Sequence, residues 1–235
     1  MEIIRYKGFL ANAYFIKDGE TVYAVDTTDT AGRDFFLENC ERAGITPEQI
    51  SLIIITHGHV DHFANLPVMK ELTKAPVLCH KRAERFLVNG LPPEVVARTP
   101  IGEMSLKIMA TMKEKPGGAP PRVIPDILIE GEYDLSPWGI SGRIIETCGH
   151  SDNDISVILP NKEAIIGDIF AAPGLEKDGV MTYFTYPGGT FEEAERSVER
   201  LLAEDIDTFW LGHGDPCDKD YLRKALQEEK ALDRQ

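Results

Sequence analysis

The chain has four cysteines in 235 residues and no two of them in CxxC spacing. Cys40, Cys79, Cys148 and Cys217 are too scattered to read as a disulfide framework. That spacing suits reduced thiols and a cytoplasmic setting. Long apolar runs are missing as well. No segment approaches the roughly 18 uninterrupted apolar residues that a membrane span needs. The N-terminal stretch MEIIRYKGFLANAYFIKDGE alternates like a pair of strands and lacks the apolar core of a signal peptide. Basic residues are outnumbered, 25 against 39 acidic, which leaves a formal charge of −14. Nucleic acid needs a basic face and anionic lipid attracts polybasic segments, so neither is an expected partner. Internal repeats and low-complexity tracts are absent too.

What is present reads as one α/β domain spanning 1–235, long enough to bury a full core. Residues 2–6, 13–17 and 21–25 alternate as strands of a meander, with an Asp18-Gly19 turn and with Asp26-Thr27-Thr28 closing the third strand. A helix is predicted over Asp34–Ala43, stopping at Gly44. Pro76–Leu78 reads as a short strand leading to His80. Further strand signals lie at Ile127–Ile129, Ile144–Ile145, Ile155–Leu159, Ala164–Ile166 and Thr208–Leu211. An amphipathic helix is expected over Phe191–Ala203, capped by Thr190 with Glu193 three residues on, and a charged helix ends the chain. Between about 84 and 122 the pattern turns helical and then breaks at Pro-Pro and Gly-Gly, as a helical insertion would. Met104, Met109 and Met112 on it suit ordinary packing, with a pliable pocket wall or a homodimer contact as alternatives.

The rest of the chain is organised around Ser51–His62, SLIIITHGHVDH. Leu52-Ile53-Ile54-Ile55 reads as a buried strand running into a loop that carries His57, His59, Asp61 and His62. Imidazole nitrogen and carboxylate oxygen are the donors that a borderline cation such as zinc prefers. Gly58 permits a tight turn, so His57 and His59 can converge. Asp61-His62 opens a predicted helix, whose N-terminal end favours anions. Core packing is a poor account of three histidines and an aspartate in six residues, since every buried polar atom needs a partner. His150 in CGHSDND, Asp168 in IIGDIF and His213 in LGHGD also follow strand signals, where rigid scaffolds present functional groups.

This ordered set resembles the metallo-β-lactamase-fold hydrolase superfamily, from Asn12 to Asp215. HGHVDH at 57–62, GHS at 149–151, GD at 167–168 and GHG at 212–214 carry the likeness. The resemblance implies a four-layer αβ/βα sandwich with a metal site along one edge between two sheets. It also implies two divalent cations, zinc first and iron or manganese as alternatives. One would be held by His57, His59 and His150, the other by Asp61, His62 and His213, with Asp168 and a hydroxide bridging both. Asp61 would orient the hydroxide or shuttle a proton. The implied reaction is hydrolysis of a small ester, thioester or lactone.

Departures from subfamilies narrow that expectation. An aspartate at 168 differs from most penicillin-hydrolysing members, and His59 stands where the flavodiiron branch has glutamate. Only 22 residues follow His213, too few for the glutathione-gripping helical domain of glyoxalase-II-type enzymes. Two alternatives remain: a mononuclear-iron persulfide dioxygenase using His57, His150 and Asp168, and a metal-dependent sensor without turnover. Substrate choice belongs to the walls of the site, expected from the 84–122 insertion and the loop 170–189. Few cations lie on either stretch beyond Lys107, Lys113, Lys115 and Lys177, so the expected substrate is a small, partly apolar acyl compound. His80 is expected to be a satisfied structural histidine, and Cys148 a small packed residue. Asp152, Asn153 and Asp154 read as turn formers and partners behind the ligands, and Tyr183 and Tyr186 as loop anchors or as donors to a substrate carbonyl.

Overall fold

Alternation at the start of the chain becomes a three-stranded antiparallel meander, β1 (Glu2–Lys7), β2 (Asn12–Asp18) and β3 (Thr21–Val25). The computed structural model describes residues 1–90, 121–170 and 189–233, and outside these only the pairing of two short strands, Val96–Ala97 and Phe184–Thr185. Helix α1 (Arg33–Ala43) ends at Gly44, as its sequence predicts. It crosses to β4 (Ile50–Ile55), which lies parallel to β3. Two helices follow, α2 (Val60–Phe63) and α3 (Leu66–Thr73). The helix expected from Asp61 onward is therefore a single turn, and a second helix starts afresh before Pro67. With only four residues α2 offers little dipole, so the anion attraction expected at its start is weak.

Strand β5 (Val77–His80) and helix α4 (Glu84–Asn89) complete the first half. Residues 91–120 of the insertion, with Met104, Met109 and Met112, lie outside the described residues except for β6 (Val96–Ala97). The second half contains β7 (Ile127–Ile129), β8 (Tyr133–Asp134), β9 (Arg143–Glu146), β10 (Ile155–Ile158) and β11 (Glu163–Ile165). After β12 (Phe184–Thr185) come α5 (Phe191–Ala203), β13 (Thr208–Trp210), β14 (Cys217–Asp218) and α6 (Lys219–Asp233). Two mixed six-stranded sheets result, in the orders β1-β2-β3-β4-β5-β7 and β14-β13-β11-β10-β9-β8.

Three apolar layers glue four structural layers together. Tyr14, Ile16, Leu52, Ile54 and Leu78 from the first sheet meet Ile144, Ile155, Val157 and Ile165 from the second. Their neighbours in sequence, Phe15, Ile53 and Ile55, face the other way onto Phe36, Leu66 and Met69 of the helices. Behind the second sheet, Ala164, Ile166 and Phe209 pack on Ala194, Val198, Leu201 and Leu222. This is the four-layer αβ/βα sandwich. A strand buried on both faces has no polar positions to spare, which is why Leu52–Ile55 is apolar throughout.

Direction within the sheets positions the site. β9 and β11 are each antiparallel to β10, and β13 is parallel to β11, so these three strands end at one edge of their sheet. Strands β3 and β4 end together in the other sheet. A main-chain bond from Ile155 N to Thr56 O, 2.9 Å, stitches the two edges to each other.

Candidate metal centre

His57 to His62 leave β4 in a loop with no room to spare. Phe86 of α4 packs so closely on Gly58 that a Cβ there would stand 2.5 Å from its ring. The Gly58 N–H donates to Asn153 Oδ1 at 2.7 Å, tying this loop to the one that carries His150. His59 ends the turn at the start of α2, and Asp61 and His62 occupy that helix's single turn. His150 follows β9, Asp168 follows β11 and His213 follows β13.

All seven sequence-predicted residues converge in two groups, His57, His59, His150 and Asp168, and then Asp61, His62 and His213. In each group the donor atoms lie within 4.8 Å of one another. His59 Nδ1 is 2.9 Å from His57 Nε2 and 3.0 Å from His150 Nε2. His213 Nε2 is 3.4 Å from His62 Nε2 and 3.2 Å from Asp61 Oδ2. Asp168 Oδ2 sits between the groups, 3.6 Å and 3.7 Å from His57 and His150, and 3.3 Å and 3.2 Å from His62 and His213.

Electrostatics inside the cluster divide along the same line. Burial, reinforced by the neighbouring imidazoles, holds His57 and His59 well below the usual histidine pKa. Burial likewise pushes His150 down to about 4. Burial also opposes protonation of His62 and His213, but Asp168 and Asp61 overcome it, with Asp26 adding at His62. His62 is raised, and His213 reaches about 10. Against its own burial, Asp61 is lowered to about 2 by His62 and His213.

Such a cluster suits cations. Nitrogens held about 2.0–2.1 Å from a tetrahedral metal stand roughly 3.4 Å apart, and the donor separations above bracket that edge. Asp168 Oδ1 is buried and has no hydrogen-bond partner among the described residues. A buried carboxylate oxygen in that position is costly unless a further positive group meets it. The close approach of Gly212 makes the same point sterically, because a Cβ there would collide with Asp168 Oδ1.

Partners behind the donors hold their orientation. Asp26 Oδ2 is 2.9 Å from His62 Nδ1 and accepts from Thr56 Oγ1 at 2.8 Å. Its Oδ1 accepts from Thr56 N at 2.8 Å. Thr56 Oγ1 is in turn 3.0 Å from His57 Nδ1. Asp154 accepts from Ser151 N and Oγ, each at 2.6 Å, and Asp152 takes both contacts from Arg85. His80 stays out of the cluster. Its Nε2 bonds Glu146 at 2.6 Å and its Nδ1 accepts from Arg82 N. Cys148 is half-buried, and burial beside Asp154 pushes its thiol up to about 12. Tyr183 and Tyr186 lie outside the described residues. Sequence reasoning missed Asp26, Asn12 and the exposed pair Phe9 and Leu10. Only their places at the ends of β1, β2 and β3 could have drawn attention to them.

A sandwich of two mixed sheets with histidine and aspartate donors at its shared edge defines a class of metal-binding α/β proteins. The family model of the metallo-beta-lactamase superfamily matches residues 6–213, and the chain belongs to that superfamily. A probable metallo-hydrolase of Methanocaldococcus jannaschii is 29% identical over 216 residues, which span 90% of this chain and 91% of that protein. A metallo-beta-lactamase fold-containing protein of Sulfurisphaera tokodaii is 24% identical over 191 residues, 78% of this chain and 69% of its own. Among solved structures, a B3 metallo-beta-lactamase superposes with a TM-score of 0.69 at 17% identity, covering 93% of this chain and 95% of that one. A protein solved in a di-iron-bound form gives 0.67 at 19%, covering 96% and 98%. At such identities the structural likeness is one of fold. No helix among the described residues is long and apolar enough to cross a membrane.

Proposed function

We propose that the protein is a dinuclear metal-dependent hydrolase of a small ester, thioester or lactone. The supporting observation is Asp168 Oδ2, within 3.7 Å of four imidazole nitrogens drawn from both donor groups. A carboxylate so surrounded can serve two cations at once. His57, His59 and His150 would hold one, Asp61, His62 and His213 the other. Nitrogen donors dominate, which favours zinc, while the di-iron-bound neighbour keeps iron as an alternative. When bound, such a pair supplies Lewis acidity, acidifying water at neutral pH and polarising an acyl carbonyl.

The chain's own residues supply proton handling and orientation. Asp61 is the most open of the donors, its side chain 35% exposed against 15% for His213 and 8% for Asp168. With its pKa near 2 it stays ionised at neutral pH, as a group that accepts a proton from attacking water needs to be. Phe9 and Leu10, 82% and 59% exposed, stand at the β1–β2 tip, and the Leu10 carbonyl is 3.2 Å from His213 Nδ1. That apolar tip supports an acyl compound as the substrate. Most of the other expected walls, the 84–122 insertion and the loop 170–189, lies outside the described residues.

Asp61→Asn removes the proton acceptor while keeping the shape. With metal content verified as unchanged, hydrolysis of a generic thioester or lactone should fall by about 10²–10⁴-fold. A wild type that turns over nothing in an ester, thioester and lactone panel would count for the sensor reading. One tightly held iron and no second metal would point to the mononuclear dioxygenase.

A further inference from the structure

The loop that presents His213 is held from the opposite end of the chain. Leu211–Gly214 leaves β13 with glycine on both sides of the histidine. Three of its four carbonyls accept hydrogen bonds from β2 and β1, some 200 residues earlier. Asn12 makes most of them. Its Nδ2 donates to Leu211 O at 2.9 Å and to Gly214 O at 2.8 Å, and its own main-chain N–H donates to Gly212 O at 2.7 Å. Tyr14 OH also donates to Leu211 O, and Arg5 Nη1 to Gly214 O at 3.1 Å. Asn12 and Tyr14 are each 1% exposed, and the two side-chain bonds to Leu211 O are buried, while those to Gly214 O are part-buried.

We infer that Asn12 is a positioning residue for His213, and thereby for the cation proposed at the Asp61, His62 and His213 group. The inference rests on the dinuclear reading above. Both partners of the side chain are carbonyl oxygens, which only accept, so the atom facing them is the amide nitrogen. An amide nitrogen has two hydrogens, and Asn12 spends one on each side of His213. A carboxylate has none to offer, and a hydroxyl has one. From the other side, Gly212 N donates to Gly167 O at 2.8 Å, beside Asp168. Held between these two strands, the loop sets His213 Nε2 at 3.2 Å from both Asp61 Oδ2 and Asp168 Oδ2. No equivalent contact runs from Asn12 to His57, His59 or His150 among the described residues. A defect at Asn12 should therefore fall on one donor group and spare the other.

The test uses the full chain, stripped of metal, reloaded with zinc and titrated with a chelator while bound zinc per chain is measured. Wild type should take up two equivalents. Asn12→Ala and Asn12→Asp should each weaken one equivalent by about 10–100-fold and leave the other at wild-type affinity. Tyr14→Phe, which removes one of the two donors on Leu211 O, should move the same equivalent by a smaller factor. Should both Asn12 variants fail to fold, Tyr14→Phe decides, and unchanged affinity there overturns the inference. Parallel weakening of both equivalents makes Asn12 a general packing residue and also overturns it. Two equivalents with unchanged affinities in the Asn12 variants refute the positioning role but leave the dinuclear reading standing. A wild type that binds a single equivalent removes the dinuclear reading and this inference together.

Discussion

Asp26 illustrates how far a donor histidine depends on a residue that never faces the site. It is 1% exposed and holds a left-handed backbone, φ 59°, which an aspartate tolerates better than most residues. Three contacts over-determine that conformation, to His62 Nδ1, Thr56 N and Thr56 Oγ1. By accepting from Nδ1–H, the Asp26 carboxylate turns His62 Nε2 toward Asp168, where its lone pair becomes available to a cation once the Nε2 proton is displaced. Asp26→Ala should lower affinity for the cation at His62 by about 10–100-fold, read by chelator competition. Wild-type affinity in that variant would mean that His62 keeps its orientation through packing alone. In sequence, Asp26 looks like any strand-closing aspartate. Its role depends on β3 ending beside β4, and no local pattern carries that.

Elements repeat the lesson with the balance reversed. Helix α5 follows its sequence signature to the residue, Phe191–Ala203, because every ingredient is local. Thr190 Oγ1 accepts from Glu193 N at 3.2 Å, and Ala194, Val198 and Leu201 form the buried face. Thr190→Ala should cost about 1 kcal/mol in denaturant unfolding. A loss under a few tenths would show that the glutamates of the first turn suffice. Strands β8 and β14 escaped the sequence reading since two residues carry no period. They are strands only by pairing with β9 and β13. The break between α2 and α3 escaped it too, because apolar spacing continues across Asn65 while the backbone does not.

At the scale of the whole molecule, the metal-free cluster pulls stability in opposite directions as pH changes. His150 has a folded pKa of about 4 against an ordinary 6.5, so below pH 6.5 the unfolded chain takes up the proton first. Stability of metal-stripped protein should therefore fall as pH drops from about 6.5 to about 4. His213 works in the opposite sense. Its folded pKa of about 10 gives stability that is complete below about pH 6.5 and is lost as pH rises toward 10. Melting temperature of the stripped protein should peak near pH 6.5. Loading with zinc should extend the plateau on the alkaline side, where a cation takes the place of the His213 proton. A stripped protein that grows steadily more stable from pH 6.5 to 9 would contradict this assignment.

Sequence alone singled out the candidate donors and the buried segments. HGHVDH, GHS, GD and GHG stand out because polar ligands clustered at the ends of apolar runs have no packing rationale. The αβ/βα sandwich came with the family resemblance, whereas alternation along β2 and an unbroken apolar β4 report only one or two buried faces. The family resemblance already implied how the seven candidate donors divide, and only the tertiary structure decided what holds them in those two groups. Asp168 lies between both groups because β11 ends opposite β4, across an interface formed by side chains from two distant halves of the chain. Asn12 meets Leu211 and Gly214, and Asp26 meets His62, through contacts 36 to 202 residues apart. Periodicity records whether a residue is buried. The partner it meets there is chosen by the packing of one sheet on the other.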